Sequence, residues 1–184
     1  NVLPIINGLS DFSHPCQIIS DIFTIEEKLG TINNKNISWV GDINNVLISL
    51  MQASIVLNFK LNIATPKKIL DKNIKLIKKY NSKKINFFND PIKAVQNTDC
   101  IMTDVWISMG EKETSKKKKI LKPFQVNKNL MMNAKKSAIF MHCLPAHRNE
   151  EVTDSVIDGH NSIVWLQARN RMFVQQSILK YCLT

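Results

Sequence analysis

Polar residues with ligand-binding chemistry occur at the start of the first predicted helix. Pro15 fits the first helical position, and Ser13 or His14 precedes it as a cap. The free backbone N–H groups and the dipole of a helix N-terminus favour an anion or a carbonyl oxygen at this place. His14 and Gln17 would add side-chain donors. The alternative interpretation is a capping segment that contains a partly buried histidine.

A histidine and a cysteine stand side by side at the end of a predicted strand, in His142-Cys143-Leu144-Pro145. Such a cysteine could be a nucleophile with a low pKa, a small polar contact or a buried thiol. Neighbouring residues of a strand point to opposite faces, which argues against direct proton transfer between the two side chains. Arg171 is predicted where the closing helix begins, and its guanidinium suits phosphate or carbonyl recognition as well as a surface salt bridge.

Two further polar segments lie where predicted strands end. Asn44 and Asn45 open a helix, and asparagine at such a junction is commonly a cap, with ligand binding as the alternative. Asp104 opens the segment 104–110, and its carboxylate could bind an ammonium group. The backbone amides of Ser108-Met109-Gly110 could hold a carboxylate, although an ordinary turn with a buried tryptophan is also compatible with this segment.

The elements that must position these residues alternate between strand-like and helix-like patterns. The predicted strands cover residues 37–40, 61–64, 85–88, 100–103, 138–141 and 162–165. The predicted helices cover residues 15–29, 45–59, 66–80, 90–96, 130–134, 150–157 and 170–183. This alternation predicts an α/β fold, a doubly wound parallel sheet with helices on both faces in a Rossmann-like three-layer domain. Ligands bind such sheets at the carboxyl ends of the strands, where the polar segments cluster.

Composition narrows the class of protein further. Hydrophobic residues make up 44% and charged residues 22% of the 184 residues, which is typical of a globular domain without a membrane partner. The four cysteines are far apart, which argues against a disulfide framework or a zinc cluster and favours a reducing cytoplasm. Because the glycine-rich loops of dinucleotide and nucleoside-triphosphate enzymes are missing, we predict that neither class of cofactor binds here.

The formal net charge of +10 has two interpretations, a polyanion-binding surface or a bias towards lysine and asparagine. The lysines are scattered, and the only dense run, at residues 116–119, has no interleaved aromatic residues. The bias is therefore favoured, and we predict no nucleic-acid partner. A phosphorylated small substrate would also be attracted by positive potential.

Taken together, these segments resemble the ornithine carbamoyltransferase family in their order and spacing. The matching stretches are residues 7–11, 14–17, 39–45, 103–110 and 142–148, and residues 150–154 and 170–171 extend the match. The resemblance covers essentially the whole chain and is to the second, amino-acid-binding domain of the family. It implies a linker helix from a carbamoyl-phosphate domain at residues 1–30, an ornithine-binding domain at 31–168 and a helix at 169–184 that returns towards the first domain.

The resemblance implies transfer of a carbamoyl group from carbamoyl phosphate to the side-chain amine of L-ornithine, which gives citrulline and phosphate. The residues that would bind carbamoyl phosphate are His14, Gln17, Cys143, Leu144 and Arg171. The residues that would bind ornithine are Asn45, Asp104, Ser108 and Met109. Asp104 and Cys143 would be catalytic, because they would position the amine and favour its neutral, attacking form. The resemblance implies no metal and no organic cofactor.

The sequence departs from the family in ways that bear on activity. The Ser-x-Arg-Thr phosphate-binding loop of the family's first domain is not present, so we expect this chain alone to be inactive and a homotrimer to need that domain. Ile43, Leu166 and Arg169 also depart from the usual pattern. Two alternatives stay open: a carbamoyltransferase for N-acetylornithine or putrescine, and a non-catalytic binding domain of the same fold, for which salt-dependent nucleic-acid binding would be the sign.

Overall fold

A parallel sheet forms the centre of the computed structural model, which describes residues 3–80, 82–108 and 115–183. Within these residues the sheet has five strands in the order β3-β2-β1-β4-β5. The strands are β1 (Asn36–Val40), β2 (Lys60–Ala64), β3 (Ile85–Phe88), β4 (Cys100–Thr103) and β5 (Ile139–His142). The strand order reverses at β1, which confirms the predicted doubly wound sheet and places its switch point between β1 and β4.

Helices cover both faces of this sheet. They are α1 (Pro15–Leu29), α2 (Asn45–Leu57), α3 (Lys67–Lys72), α4 (Ile74–Lys79), α5 (Pro91–Val95), α6 (Ser115–Leu121), α7 (Lys128–Met132), α8 (Asp154–Ile157) and α9 (Val164–Leu183). Because side chains alternate along a strand, the sheet builds two cores. Trp39 and Met102 pack on the side of α1 and α2, whereas Ile101 and Phe140 pack on the side of α5, α7 and α8. The predicted three layers are therefore confirmed.

The first and last helices pack against each other, and a buried hydrogen bond of 2.7 Å joins them, from Gln167 Nε2 to Asp21 Oδ1. Helix α1 begins at Pro15 and ends before Gly30, as predicted. Gly30 adopts a φ of 72°, and its N–H donates to the carbonyl of Glu26, which ends the helix. No helix within the described ranges has both the length and the apolar character needed to cross a membrane.

The predicted last strand, residues 162–165, was wrong. Ser162 makes only an isolated bridge to Phe140, and α9 already begins at Val164. Val164 is fully buried in the second core, and it takes this position as the first residue of α9 and not as part of a strand. Because α9 starts six residues earlier than predicted, Arg171 lies inside the helix and not at its beginning.

The predicted basic helix, residues 66–80, was also wrong, because it is two short helices divided at Asn73. The backbone N–H of Asn73 donates to the carbonyls of Ile69 and Leu70, and its side-chain amide donates to the carbonyl of Ile69 at 2.9 Å. The asparagine therefore closes α3 locally, which is what this residue type does well and what a helical pattern of apolar residues does not reveal.

The lysine run lies in α6, a helix that was not predicted. Lys117 Nζ is 2.6 Å from Asp42 Oδ2, and Lys118 Nζ is 2.7 Å from Glu150 Oε1. The two carboxylates lie in the loops that follow β1 and β5, so the ion pairs fasten α6 across the carboxyl edge of the sheet. Sequence periodicity could not find this helix, because its partners are charges from distant segments.

Candidate functional site

A carboxylate and an amide are in direct contact at the switch point between β1 and β4. Asp104 follows β4, and its Oδ2 accepts a hydrogen bond of 2.7 Å from Asn44 Nδ2. Asn44 also caps α2, because its Oδ1 accepts from the N–H of Leu47 at 3.0 Å. The cap fixes the orientation of the amide and turns its NH₂ group towards Asp104. The sequence indicated the cap but not this contact, which joins residues 60 positions apart.

Cys143 is the second partner of Asp104. Desolvation and the negative charge of Asp104 raise the pKa of the Cys143 thiol well above its ordinary value, and the thiol donates a hydrogen bond to that carboxylate. At neutral pH the residue is therefore a protonated donor and not a thiolate nucleophile. Among the three interpretations that the sequence left open, the geometry favours the small polar contact.

Both ring nitrogens of His142 are engaged by neighbouring groups. Its Nδ1 accepts from the N–H of Leu144 at 2.9 Å, and its Nε2 lies 3.2 Å from Glu151 Oε1. The accepting role of Nδ1 assigns the proton to Nε2, so the imidazole donates to Glu151. His142 and Glu151 are both fully buried. No nitrogen of the ring is left for a proton relay with Cys143, although the two side chains lie close together.

His14 is the N-cap residue of α1, and its backbone N–H donates to Ser49 Oγ at 2.8 Å. Its side chain is half-buried, and Nδ1 has no hydrogen-bond partner among the described residues. Desolvation and the nearby Arg171 cation lower the pKa of His14, against the opposing effects of the Gly8 backbone and the Asp104 carboxylate. His14 is therefore a neutral imidazole at neutral pH with one ring nitrogen unused.

A cavity of about 620 Å³ opens between the loop after β5 and helix α9. Its wall includes Gln17, Cys143, Leu144 and Arg171, which are four of the five residues that the resemblance assigns to carbamoyl phosphate. Gln17 Oε1 and Arg171 Nε are buried and have no hydrogen-bond partner within the described part of the chain. An unused acceptor beside an unused cationic donor suits a ligand that carries both N–H groups and negative charge.

The residues assigned to ornithine do not line this cavity. Asp104 is connected to the cavity by its hydrogen bond with Cys143, which is part of the cavity wall. Asn45 Nδ2 instead donates to the carbonyl of Ser10 at 2.7 Å, which fastens the segment before α1 onto α2. Ser108 is half-buried at the end of a described range, and Met109 lies outside the described residues. The structure thus brings Asp104 into the site and leaves the amide of Asn45 engaged with the N-terminal segment.

Two fully buried carboxylates, which no sequence motif indicated, support the site. Glu151 accepts from His142 and from the backbone N–H of His147. Asp21 Oδ1 accepts from Gln17 Nε2 at 2.8 Å, in addition to the bond from α9. The only local signal for Asp21 is a carboxylate on the buried face of α1, four residues after Gln17.

Two groups of potential metal ligands occur among the described residues. They are Asp104 with His142 and Cys143, and His147 with Glu150 and Glu151. In the first group, His142 Nδ1 already accepts from a backbone N–H, and Cys143 is a protonated thiol. In the second group, Glu150 is paired with Lys118. These contacts compete with metal binding, and the expectation of no metal stays a prediction.

The fold and the site together define an α/β domain whose candidate ligand-binding groups cluster at the carboxyl edge of a doubly wound sheet. The family model described as aspartate/ornithine carbamoyltransferase, Asp/Orn binding domain, matches residues 33–182. The chain belongs to this family, which confirms the resemblance seen in the sequence.

Similar proteins and solved structures are also ornithine carbamoyltransferases. The ornithine carbamoyltransferase of Ruthia magnifica subsp. Calyptogena magnifica is 54% identical over 182 residues, which cover 98% of this chain and 60% of that protein. The one from Rhodopseudomonas palustris is 50% identical, with coverages of 98% and 59%. The structure of ornithine carbamoyltransferase from Pyrococcus furiosus aligns with a TM-score of 0.86 at 50% identity, covering 96% of this chain and 58% of that one. The chain thus spans about 60% of the length of the curated relatives it matches.

Proposed function

We propose that this chain is the ornithine-binding half of an ornithine carbamoyltransferase, which transfers the carbamoyl group of carbamoyl phosphate to the side-chain amine of L-ornithine in arginine biosynthesis. The observation that carries the proposal is the contact between Cys143 and Asp104. This contact joins the wall of the cavity, which holds Gln17 and Arg171, to the carboxylate at the switch point. An amine bound at Asp104 would therefore face a carbonyl group held in the cavity.

On the carbamoyl-phosphate side, the unused polar groups of the cavity match the needs of the reaction. Arg171 would attract the phosphate and donate to the carbonyl oxygen, and Gln17 Oε1 would accept from the carbamoyl NH₂ group together with the backbone of Leu144. His14, as a neutral imidazole, would contact the same group. Negative charge develops on the carbonyl oxygen during attack, and donors placed in advance stabilise it without reorganisation. Two substrates held in line also lose less entropy in the transition state.

On the amine side, Asp104 would bind the side-chain ammonium of ornithine, with Asn45, Ser108 and Met109 holding its other polar groups. The amine must lose a proton before it attacks. Because Cys143 is a protonated thiol, the carboxylate of Asp104 is the group that would accept or relay this proton. Cys143 would then act by its hydrogen bond to Asp104, and the phosphate would leave without a covalent enzyme intermediate.

The setting that we propose follows from the same reasoning. A homotrimer would form when a carbamoyl-phosphate domain is present, and no organic cofactor would be needed. A reducing cytoplasm is supported by the four cysteines, which form no disulfide. We propose no nucleic-acid or membrane partner, because the central lysines of the run at residues 116–119 are paired with Asp42 and Glu150.

Isothermal titration with L-ornithine tests the amine site. We expect wild-type binding to weaken by roughly 30-fold in Asp104→Asn, since a hydrogen bond to a charged group contributes about 2 kcal/mol. Asp71→Asn is the matched control, because Asp71 is an exposed carboxylate paired with Lys67 in its own helix, and this variant should bind normally.

N-acetylornithine and putrescine, titrated in parallel, decide the acceptor. Tighter binding of either one than of ornithine would reassign the amine substrate within the same class of reaction. A folded chain that binds none of the three amines but binds DNA or RNA with strong salt dependence would contradict the proposal and favour a binding domain.

A further inference from the structure

Asp21 is a carboxylate buried at the junction of α1, α9 and the end of β5. Its Oδ1 accepts two hydrogen bonds, from Gln17 Nε2 at 2.8 Å and from Gln167 Nε2 at 2.7 Å. Gln167 Oε1 in turn accepts from the backbone N–H of His142 at 3.0 Å. All of these residues are buried, so water does not compete for the hydrogen bonds. Asp21 Oδ1 therefore joins α1 to α9, and Gln167 connects this contact to the end of β5.

This arrangement determines how both glutamine amides are turned. An amide side chain has one donating and one accepting end, and Asp21 Oδ1 has no hydrogen to offer. Each glutamine must therefore direct its NH₂ group to Asp21 and its oxygen to the opposite side. A flipped amide would place two acceptors against each other in a buried site, which costs the full desolvation of both groups.

The amide oxygens of Gln17 and Gln167 differ in their hydrogen bonding. The oxygen of Gln167 is used by the backbone of His142, whereas the oxygen of Gln17 has no hydrogen-bond partner within the described residues. Gln17 lines the cavity beside Arg171, so this oxygen is a buried acceptor prepared for a ligand. Without Asp21, the amide of Gln17 could present either end.

We propose that Asp21 is a positioning residue that holds the Gln17 amide with its oxygen towards the cavity, and that it thereby selects phosphates whose acyl group carries an NH₂ over those that carry a methyl group. This inference rests on the proposed function, because it assigns the cavity to the carbamoyl group. Asp21 touches no substrate and acts through Gln17. Its second oxygen, Oδ2, has no hydrogen-bond partner in the described part of the chain and is the place for a proton, so Oδ1 accepts in both protonation states.

Carbamoyl phosphate and acetyl phosphate are the two probes, since they differ only in an NH₂ group against a CH₃ group. Isothermal titration of the wild-type chain should give roughly 10- to 100-fold tighter binding of carbamoyl phosphate, because acetyl phosphate leaves the Gln17 oxygen unpaired. In Asp21→Ala this ratio should fall to below about 3-fold. Asp21→Asn keeps an oxygen at Oδ1 and should retain the wild-type ratio.

Ile25→Val is the matched control for destabilisation, because Ile25 is fully buried on the same face of α1 and removal of one methyl group leaves the polar contacts in place. It should lower the thermal midpoint slightly and leave the binding ratio unchanged. A folded Asp21→Ala that still discriminates as wild type does, or an Ile25→Val that loses discrimination, would overturn the proposal.

A measurement on the wild-type protein keeps the inference independent of folding and of the proposed function. In nitrogen-15 NMR, the side-chain amides of Gln17 and Gln167 should shift with one shared midpoint near pH 7, the pKa to which burial raises Asp21. Amides that titrate separately or not at all would refute their orientation by Asp21. If the amides share a midpoint but neither phosphate binds, the assignment of selectivity fails while the orientation stands; the proposed function is judged separately, by the ornithine titration.

Discussion

Asp21→Asn should make the protein more stable at alkaline pH. Asp21 is fully buried, and desolvation raises its pKa from 3.8 to about 7, against the hydrogen bonds from Gln167 and Gln17 and the charge of Arg171. The negative charge of Asp104 adds to the rise. Asparagine has nearly the same shape and keeps an oxygen for the two glutamine amides, but it cannot ionise.

The size and sign of the effect follow from proton linkage. Between pH 4 and 7 the folded chain keeps a proton on Asp21 that the unfolded chain has released. The contribution of Asp21 to the free energy of unfolding is therefore fully present below its pKa in the unfolded chain. It is lost as the pH rises to its pKa in the folded chain. A shift of about 3 pKa units corresponds to about 4 kcal/mol. The variant avoids this loss, so it should match wild type near pH 4 and exceed it by up to about 4 kcal/mol at pH 8.

Urea unfolding of both proteins at pH 4, 6 and 8 measures the difference directly, and other titrating groups cancel in the comparison. At pH 8 the thermal midpoint of the variant should lie about 10 °C higher. Asp71→Asn, which changes an exposed carboxylate, should show no such divergence across these three pH values. If the difference between wild type and Asp21→Asn stays constant with pH, or if the variant is less stable at pH 8, the reasoning on buried charge is refuted.

Two other predictions concern the loop after β5. The Cys143 thiol should react slowly with iodoacetamide at pH 7.5, because the Asp104 carboxylate raises the pKa of the thiol. Asp104→Asn should therefore speed the reaction. A fast reaction of the wild-type protein would contradict this prediction. Glu151→Leu should lower the free energy of unfolding by about 3 kcal/mol in urea titrations, because it leaves His142 without its buried partner. Glu150→Gln, on the half-exposed neighbour, should cost about 1 kcal/mol or less, and equal losses in the two variants would argue against the buried hydrogen bond.

Local patterns were sufficient to predict most of the fold. Proline at the start and glycine at the end bound α1, and short apolar runs between helical patterns identified the five strands of the sheet. These signals are local because they depend on backbone conformation and on periodic burial. The patterns failed where distant partners decide, as in α6, whose lysines pair with Asp42 and Glu150. They also failed at Asn73, where a side-chain hydrogen bond ends a helix early.

The sequence by itself determined which residue types lie at the carboxyl ends of the strands, and their order and spacing indicated the family. Only the tertiary structure decided which of them meet. Asn44 contacts Asp104 and Gln167 contacts Asp21 because the strand order and the packing of α1 on α9 bring together segments far apart in the chain. Only the structure also decided protonation, since Cys143 remains a thiol because it is desolvated beside a carboxylate, and desolvation is a property of the folded surroundings that no spacing of residues encodes.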